Sequence, residues 1–345
     1  MSEKFEKKPE DQPALEKQES LERSGFQERA MDLIERLLNE GGSIECACQG
    51  VAGINLERAW QIREQALAKG HSITYSLAGL DSERAWKIRE EILQEEDKKS
   101  EGEFIEKGTQ RGSVARSLAG LDSEKAWQMR EDLLADTKNM PFLYGGKNTM
   151  EGVAESLIGL DSEKAWNMRE LILGEINKMM PEDERDTVES IIKSLTGLHS
   201  EQAWTARDHF LKVGTREYLF GYEEISRLIS QTLASLDSEE AWQMRERLSE
   251  QGSSIESVLR GLAGVDSERA WEIREKFYNE NNSPTKEHFL IESLAGLESE
   301  KAWQMRERLL KDKVYSINVR DTLLMNGIYG NWMTVGIQKT RREKD

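Results

Sequence analysis

An all-α chain, folded as a right-handed α-solenoid of about eight two-helix repeats, is expected from three observations. The phrase Gly-Leu-Asp-Ser-Glu-x-Ala-Trp-x-Met-Arg-Glu is written eight times, with small variations. Its tryptophans follow one another at spacings of 26, 41, 39, 38, 38, 29 and 32 residues, which is room for one helical hairpin each. No stretch of any length alternates apolar and polar residues as a strand does.

Each unit reads as two helical segments. In the first, an apolar residue stands 13 places before the Trp (Ile73, Val114, Val153, Ile191, Ile229, Val258, Leu290). A Leu stands nine places before it (Leu77, Leu118, Leu157, Leu195, Leu233, Leu262, Leu294). Four residues apart, they share one helix face. The segment ends at Gly79, Gly120, Gly159, Gly197, Gly264 or Gly296, suited to the left-handed residue that closes a helix. Asp81, Asp122, Asp161, Asp237 and Asp266 follow, and are expected to cap the next helix. Ser235 replaces the Gly once and His199 the Asp once, so these turns are expected to be the weakest. The second helix carries the Trp and runs about 13 residues, from Ser123 to Ala135 for example.

Length varies only where one unit passes to the next, at residues 94–112, 138–149, 212–222 and 279–286. Insertions at one point of a repeat project from one face, often the binding face. Residues 1–24 mix acidic and basic residues without apolar periodicity and are expected to be a disordered leader. The helical array spans 25–312. It begins with a degenerate half-unit in which Met31 takes the Trp position and Ile34 the Arg position. Residues 313–345, with a short basic tail, are expected to be a C-terminal cap or truncated repeat. Terminal repeats are atypical because one side lacks a neighbour.

The candidate site residues are two rows on the second helix: Trp60, Trp86, Trp127, Trp166, Trp204, Trp242, Trp271 and Trp303, and Arg63, Arg89, Arg130, Arg169, Arg207, Arg245, Arg274 and Arg306. At 100° per residue, each Arg falls in the middle of the apolar arc. A charge there must find partners. Either the Arg is a structural ladder, its fork binding the turn Asp or helix-end carbonyls of an adjacent unit, or the rows line a groove for an anionic ligand, with Trp stacking bases. The structural reading is favoured by the net charge of −17 and by the abundance of turn Asp.

Other chemistry finds little support. His71, His199, His209 and His288 are scattered over different units and read as loop or surface residues. Cys46 and Cys48 lack the second pair a zinc site needs. No Gly-rich phosphate loop follows a strand. No catalytic residue, cofactor or metal is assigned, and an enzyme is not expected. The acidic balance argues against general nucleic-acid binding. Without a long apolar run or a disulfide framework, a soluble cytoplasmic protein with no membrane partner is the expectation.

Helix-turn-helix arrays of this unit length resemble tetratricopeptide and HEAT arrays as a class, without the motif of any one family. Here Trp precedes x-Met-Arg-Glu, not the tetratricopeptide Leu-Gly and Tyr. The curved surface and protruding connections of such an array are expected to serve a non-enzymatic binding or scaffold module engaging a peptide or protein. The alternative is an RNA-binding helical repeat using the Arg and Trp rows. Variable positions beside the Trp (Gln61, Lys87, Asn167, Thr205, Glu272; Asp132, Leu171, His209, Arg247) are candidates for partner contact.

Overall fold

A computed structural model describes residues 12–98, 104–137, 146–176, 181–217, 221–280, 287–312 and 317–327. The chain is all-α: seventeen α-helices and no strand are found among the described residues. The helices fall into two alternating series.

The Trp-bearing series is α3 (Glu57–Ala68), α4 (Glu83–Asp97), α6 (Glu124–Thr137), α8 (Glu163–Ile176), α10 (Glu201–Glu217), α12 (Glu239–Glu250), α14 (Glu268–Glu280) and α16 (Glu300–Asp312), preceded by α1 (Gln12–Asn39). Between them lie α2 (Ile44–Gly50), α5 (Phe104–Arg116), α7 (Lys147–Ser156), α9 (Pro181–Ser194), α11 (Tyr222–Thr232), α13 (Ile255–Arg260), α15 (Glu287–Ser293) and α17 (Ile317–Thr322). In the shortest unit the intervening helix shrinks to one 3-10 turn, Thr74–Leu77, because 26 residues leave no room for more.

The intervening elements touch in chain order, from α2 through the 3-10 turn and α5 to α15. The order then closes. Helix α15 touches α17 and the π-helical turn that follows it (Leu323–Gly327), and both touch α2. This closed cycle is the inner layer, and the Trp helices form the outer one. At the C-terminal ends of the inner elements, Ile158 joins Ala234, Ala263 and Ala295 in one buried cluster. Each stands directly before its turn residue, so residues from well-separated units meet.

Small residues let the inner helices approach. A Cβ on Gly152 would lie 2.2 Å from the Gly112 carbonyl oxygen, and one on Gly261 2.3 Å from that of Ser230. A ladder of turn hydrogen bonds links successive units: Gly79 N–H donates to Ala119 O at 3.1 Å, and Gly264 N–H to Ala295 O at 3.0 Å. The turn glycines have the expected positive φ, from 71° to 77°. Ser235 is held in the same region at φ 63°, which a Cβ makes costly.

Two expectations are corrected here. The first helix does have a neighbour on its outer side: the ends of the array meet. Phe26 packs on Trp303 with ring centroids 5.8 Å apart, and Arg29 and Arg36 pair with Glu300 and Glu307. Helix α1 also begins at Gln12, inside the segment read as a disordered leader. Residues 12–24 are rich in Ala, Leu, Glu, Lys and Gln, which extend a helix already anchored by packing of the next turns. Residues 1–11 and 328–345 lie outside the described residues. So do parts of the variable insertions, at 99–103, 138–145, 218–220 and 281–286, and the basic tail.

Candidate functional site

The Arg and Trp rows lie in the seams between units. All eight arginines are buried, at 0–2% exposure. Their partners are carbonyls and hydroxyls. Arg89 donates from Nη2 to Leu77 O at 2.7 Å, from Nη1 to Leu80 O at 3.0 Å, and to the next inner helix at Ser117 Oγ and O, both at 2.9 Å. Arg169 does the same with Leu157, Leu160 and Ser194, and Arg207 with Leu195, Leu198 and Thr232. The fork thus ties the C-terminal end of one inner helix to the next. Those carbonyls lie at or just past the ends of the inner helices, where the helix carries its negative end, so a cation is compensated without a carboxylate. Burial lowers the guanidinium of Arg130 to about 9, still above neutral pH.

Of the two partners expected for the fork, the helix-end carbonyls are the ones it binds, and the turn Asp is engaged elsewhere. The turn Asp accepts from the indole of its own unit: Trp86 Nε1 donates to Asp81 at 2.7 Å, Trp127 to Asp122 at 2.7 Å and Trp271 to Asp266 at 2.6 Å. Nor does Asp cap the helix. Ser one place later does, as Ser82 Oγ accepts from Ala85 N and Ser238 Oγ from Ala241 N. Asp sits too early in the turn to reach those N–H groups, but five residues before the Trp it meets the indole edge.

Each indole lies beside its own Arg, with Arg130 4.7 Å from the Trp127 centroid. Most also meet a cation from the next unit, two places before the next Trp. Arg84 stands over Trp60, Lys125 over Trp86, Lys164 over Trp127, Arg269 over Trp242 and Lys301 over Trp271, at 4.4–5.2 Å. Arg29 of α1 fills that place over Trp303 at 4.5 Å. The closing seam therefore uses the chemistry of the internal ones. Trp166 and Trp204 are the half-buried exceptions, and the units after them carry Gln202 and Glu240 where the cation belongs. Gln202→Lys is expected to stabilise by about 0.5–1 kcal/mol through a restored cation–π contact, read as a higher urea midpoint and a blue-shifted tryptophan emission.

With these rows sealed, the accessible chemistry lies on the other side of the inner helices. The residues 13 and 9 before each Trp face the outer layer. Those 11 and 15 before it point about 160–200° away, into the ring. They are charged or polar: Arg116, Lys193, Arg260, Glu155 and Glu292 in one layer, and Glu151, Glu189, Arg227, Glu256 and His288 in the next. Neighbours pair around the ring, as Arg116 does with Glu155, Lys193 with Glu155 at 3.3 Å and Arg260 with Glu292 at 2.8 Å. A cavity of about 890 Å³ opens among α11, α13 and α15, lined by Glu223, Glu224, Arg227, Glu256, Arg260, His288 and Phe289. A smaller one of about 370 Å³ lies by the 3-10 turn, with His71, Ile88 and Glu95.

These inner rows are not part of the repeated phrase and so do not stand out among the sequence-predicted site residues. The signal was present: on helices whose Leu and Val positions recur, positions 11 and 15 before the Trp change from unit to unit while staying polar. His288, read as a loop or surface residue, is half-buried in the cavity wall, its ring 3.7 Å from that of Phe289. The two cysteines are free, and burial raises both thiols, Cys48 within the core and Cys46 at its edge. Among the described residues no group of His, Cys, Asp and Glu could hold a metal ion.

Glu151 is buried on the inner face, and burial pushes its carboxyl up to about 7, against the opposing pull of Lys147 and Arg116. An unfolded Glu ionises at about 4.3. Between those values the unfolded chain has lost a proton that the folded chain keeps, so stability falls as pH rises through the window. Glu151→Gln is expected to be more resistant to urea than the wild type near pH 8, with the gap closing toward pH 5. A gap independent of pH would contradict this.

Comparison with protein-family models, with curated proteins and with solved structures finds no match to this chain in any of the three.

Proposed function

We propose that the chain is a non-enzymatic binding and scaffold module. In this reading the eight full repeats form a right-handed α-solenoid, closed into a ring by α1 and the C-terminal helix. A peptide or protein partner is held on the inner face. The observation that carries it is the polar inner face around a cavity of about 890 Å³. A surface that keeps its scaffold positions and varies its exposed ones is built for recognition. An 890 Å³ space with both signs of charge and an aromatic wall suits a peptide segment.

RNA binding through the Arg and Trp rows finds less support. Those arginines are buried with their forks on carbonyls, most of the indoles are buried, and the net charge is −17. We also place the protein in the cytoplasm, a compartment in which its two free thiols stay reduced. Among the described residues no helix is long and apolar enough to cross a membrane.

The test is enrichment from a displayed random-peptide library against capture of mixed-sequence RNA, each at two salt concentrations. The reading expects reproducible peptide enrichment. RNA capture that weakens steeply with salt, with no peptide enriched, would overturn it.

A further inference from the structure

We propose that the cavity among α11, α13 and α15 is a recognition site for a mixed-charge peptide segment, seating an acidic group between Arg227 and Arg260. The inference rests on the peptide-binding reading and names the chemistry of its partner.

Arg227 and Arg260 stand on adjacent inner helices and line the same cavity. Both have donors to spare. Arg260 donates from Nε to Glu292 at 2.8 Å, and its guanidinium lies 4.6 Å from the Phe289 ring centroid. That bond fixes the fork, and its two terminal nitrogens are engaged by no other side chain among the described residues. Among the described residues Arg227 has one distant partner, Glu189, at 4.0 Å. Their side chains are partly exposed, at 31% and 23%. Elsewhere on the inner face the cations are more closely held: Arg116 and Lys193 share Glu155, and Lys147 reaches Asp186 at 2.8 Å. The two forks are therefore the place where an incoming oxyanion finds donors without breaking a tight pair. Planar guanidinium groups suit carboxylate or phosphoryl oxygens. His288, on the third helix, adds a ring nitrogen to the same wall.

Acids line the cavity as well. Glu223 lies one helical turn nearer the start of α11 than Arg227, and beside it Glu224 is held by Arg185. Glu256 lines the wall at the level of Arg227. A purely acidic peptide would be repelled by the lining carboxylates Glu223, Glu224 and Glu256. A segment whose acidic residue is flanked by a basic one satisfies both signs, with the cation at Glu223 and the anion at the two arginines. Phe289, carrying Arg260 on its ring, offers an apolar wall between them.

The experiment uses the full chain and fluorescein-labelled peptides of alternating Lys and Glu, all Glu, all Lys, and alternating Lys and phosphoserine, followed by anisotropy. The Lys–Glu peptide is expected to bind best of the three unphosphorylated ones. It should lose about tenfold or more in affinity in Arg227→Gln/Arg260→Gln. The outer-layer variant Arg308→Gln should leave it unchanged. Arg227→Lys/Arg260→Lys, which keeps the charge and loses the forks, gives the same reading if the Gln variant melts lower than the wild type. Tighter binding of the phosphoserine peptide assigns the oxyanion to a phosphoryl group, and the reverse order to a carboxylate. Equal affinity for wild type and both double variants would overturn this site. So would library enrichment of peptides lacking acidic residues, and both outcomes leave the ring a peptide binder. Absence of any peptide enrichment would overturn the binding reading itself.

Discussion

Arg130→Met is expected to lower stability by about 3 kcal/mol or more, because several buried acceptors lose a donor together. Arg130 donates to Leu118 O at 2.8 Å, to Ser156 O at 3.1 Å and to Ser156 Oγ at 2.9 Å. Met fills much of the space but satisfies none of these groups. Leu118 O is left with the turn N–H of Leu121 alone and Ser156 O loses the guanidinium. A buried carbonyl left short costs about 1–3 kcal/mol. Relief from burying the charge offsets part of the loss, since no carboxylate is left behind. Arg130→Lys is expected to recover little, as an ammonium cannot bridge two helix ends in a fork. The measurement is the urea midpoint at constant m-value. An unchanged midpoint in Arg130→Met would mean that the row is not what couples the units.

Gly50→Ala is expected to break the closing contact selectively. A Cβ on Gly50 would sit 1.7 Å from the backbone carbonyl of Leu324, with no flexible side chain to move aside. Overpacking of this kind costs about 1–3 kcal/mol, and more when the obstacle is backbone. The loss should be local. The turn Leu323–Gly327 separates from α2, and limited proteolysis cuts there first while the other units keep their protection. Gly174→Ala in α8 is the control. A Cβ there meets nothing within 4 Å, so replacing a helical Gly should stabilise by about 0.5–1 kcal/mol.

The sequence disclosed the hairpins and their turns because both depend on local rules. Leu positions four apart mark the inner helix, and Gly79 and its equivalents take the left-handed turn that Ser235 takes under strain. It also showed that every Arg needs a partner, but not which one. Asp and Ser stand side by side in the turn, and only the three-dimensional path sends Asp81 to the indole and Ser82 to the helix cap. Closure was hidden for another reason. Whether an array stays open or meets itself depends on small rotations summed over every unit. Yet the clue was written in α1, where Glu28, Arg29 and Glu35 repeat the charges that flank each Trp. Arg58 is held by Glu28, Asp32 and Glu35, while Arg29 reaches Glu300 on the other side. A helix with both halves of the seam motif has two neighbours. The inner-face residues were hardest to read because their chemistry is set by which helices face one another across the ring.

The seam recurs around the array, and the last unit meets the first through it. Spin labels at Arg36→Cys and Glu307→Cys, in a chain with Cys46→Ala and Cys48→Ala, test it by pulsed dipolar spectroscopy. The side chains they replace are 2.7 Å apart across the closing seam. A single narrow distribution at the short end of the measurable range is the expected result. A broad distribution at long distance, as for the two ends of an open array, would contradict the account.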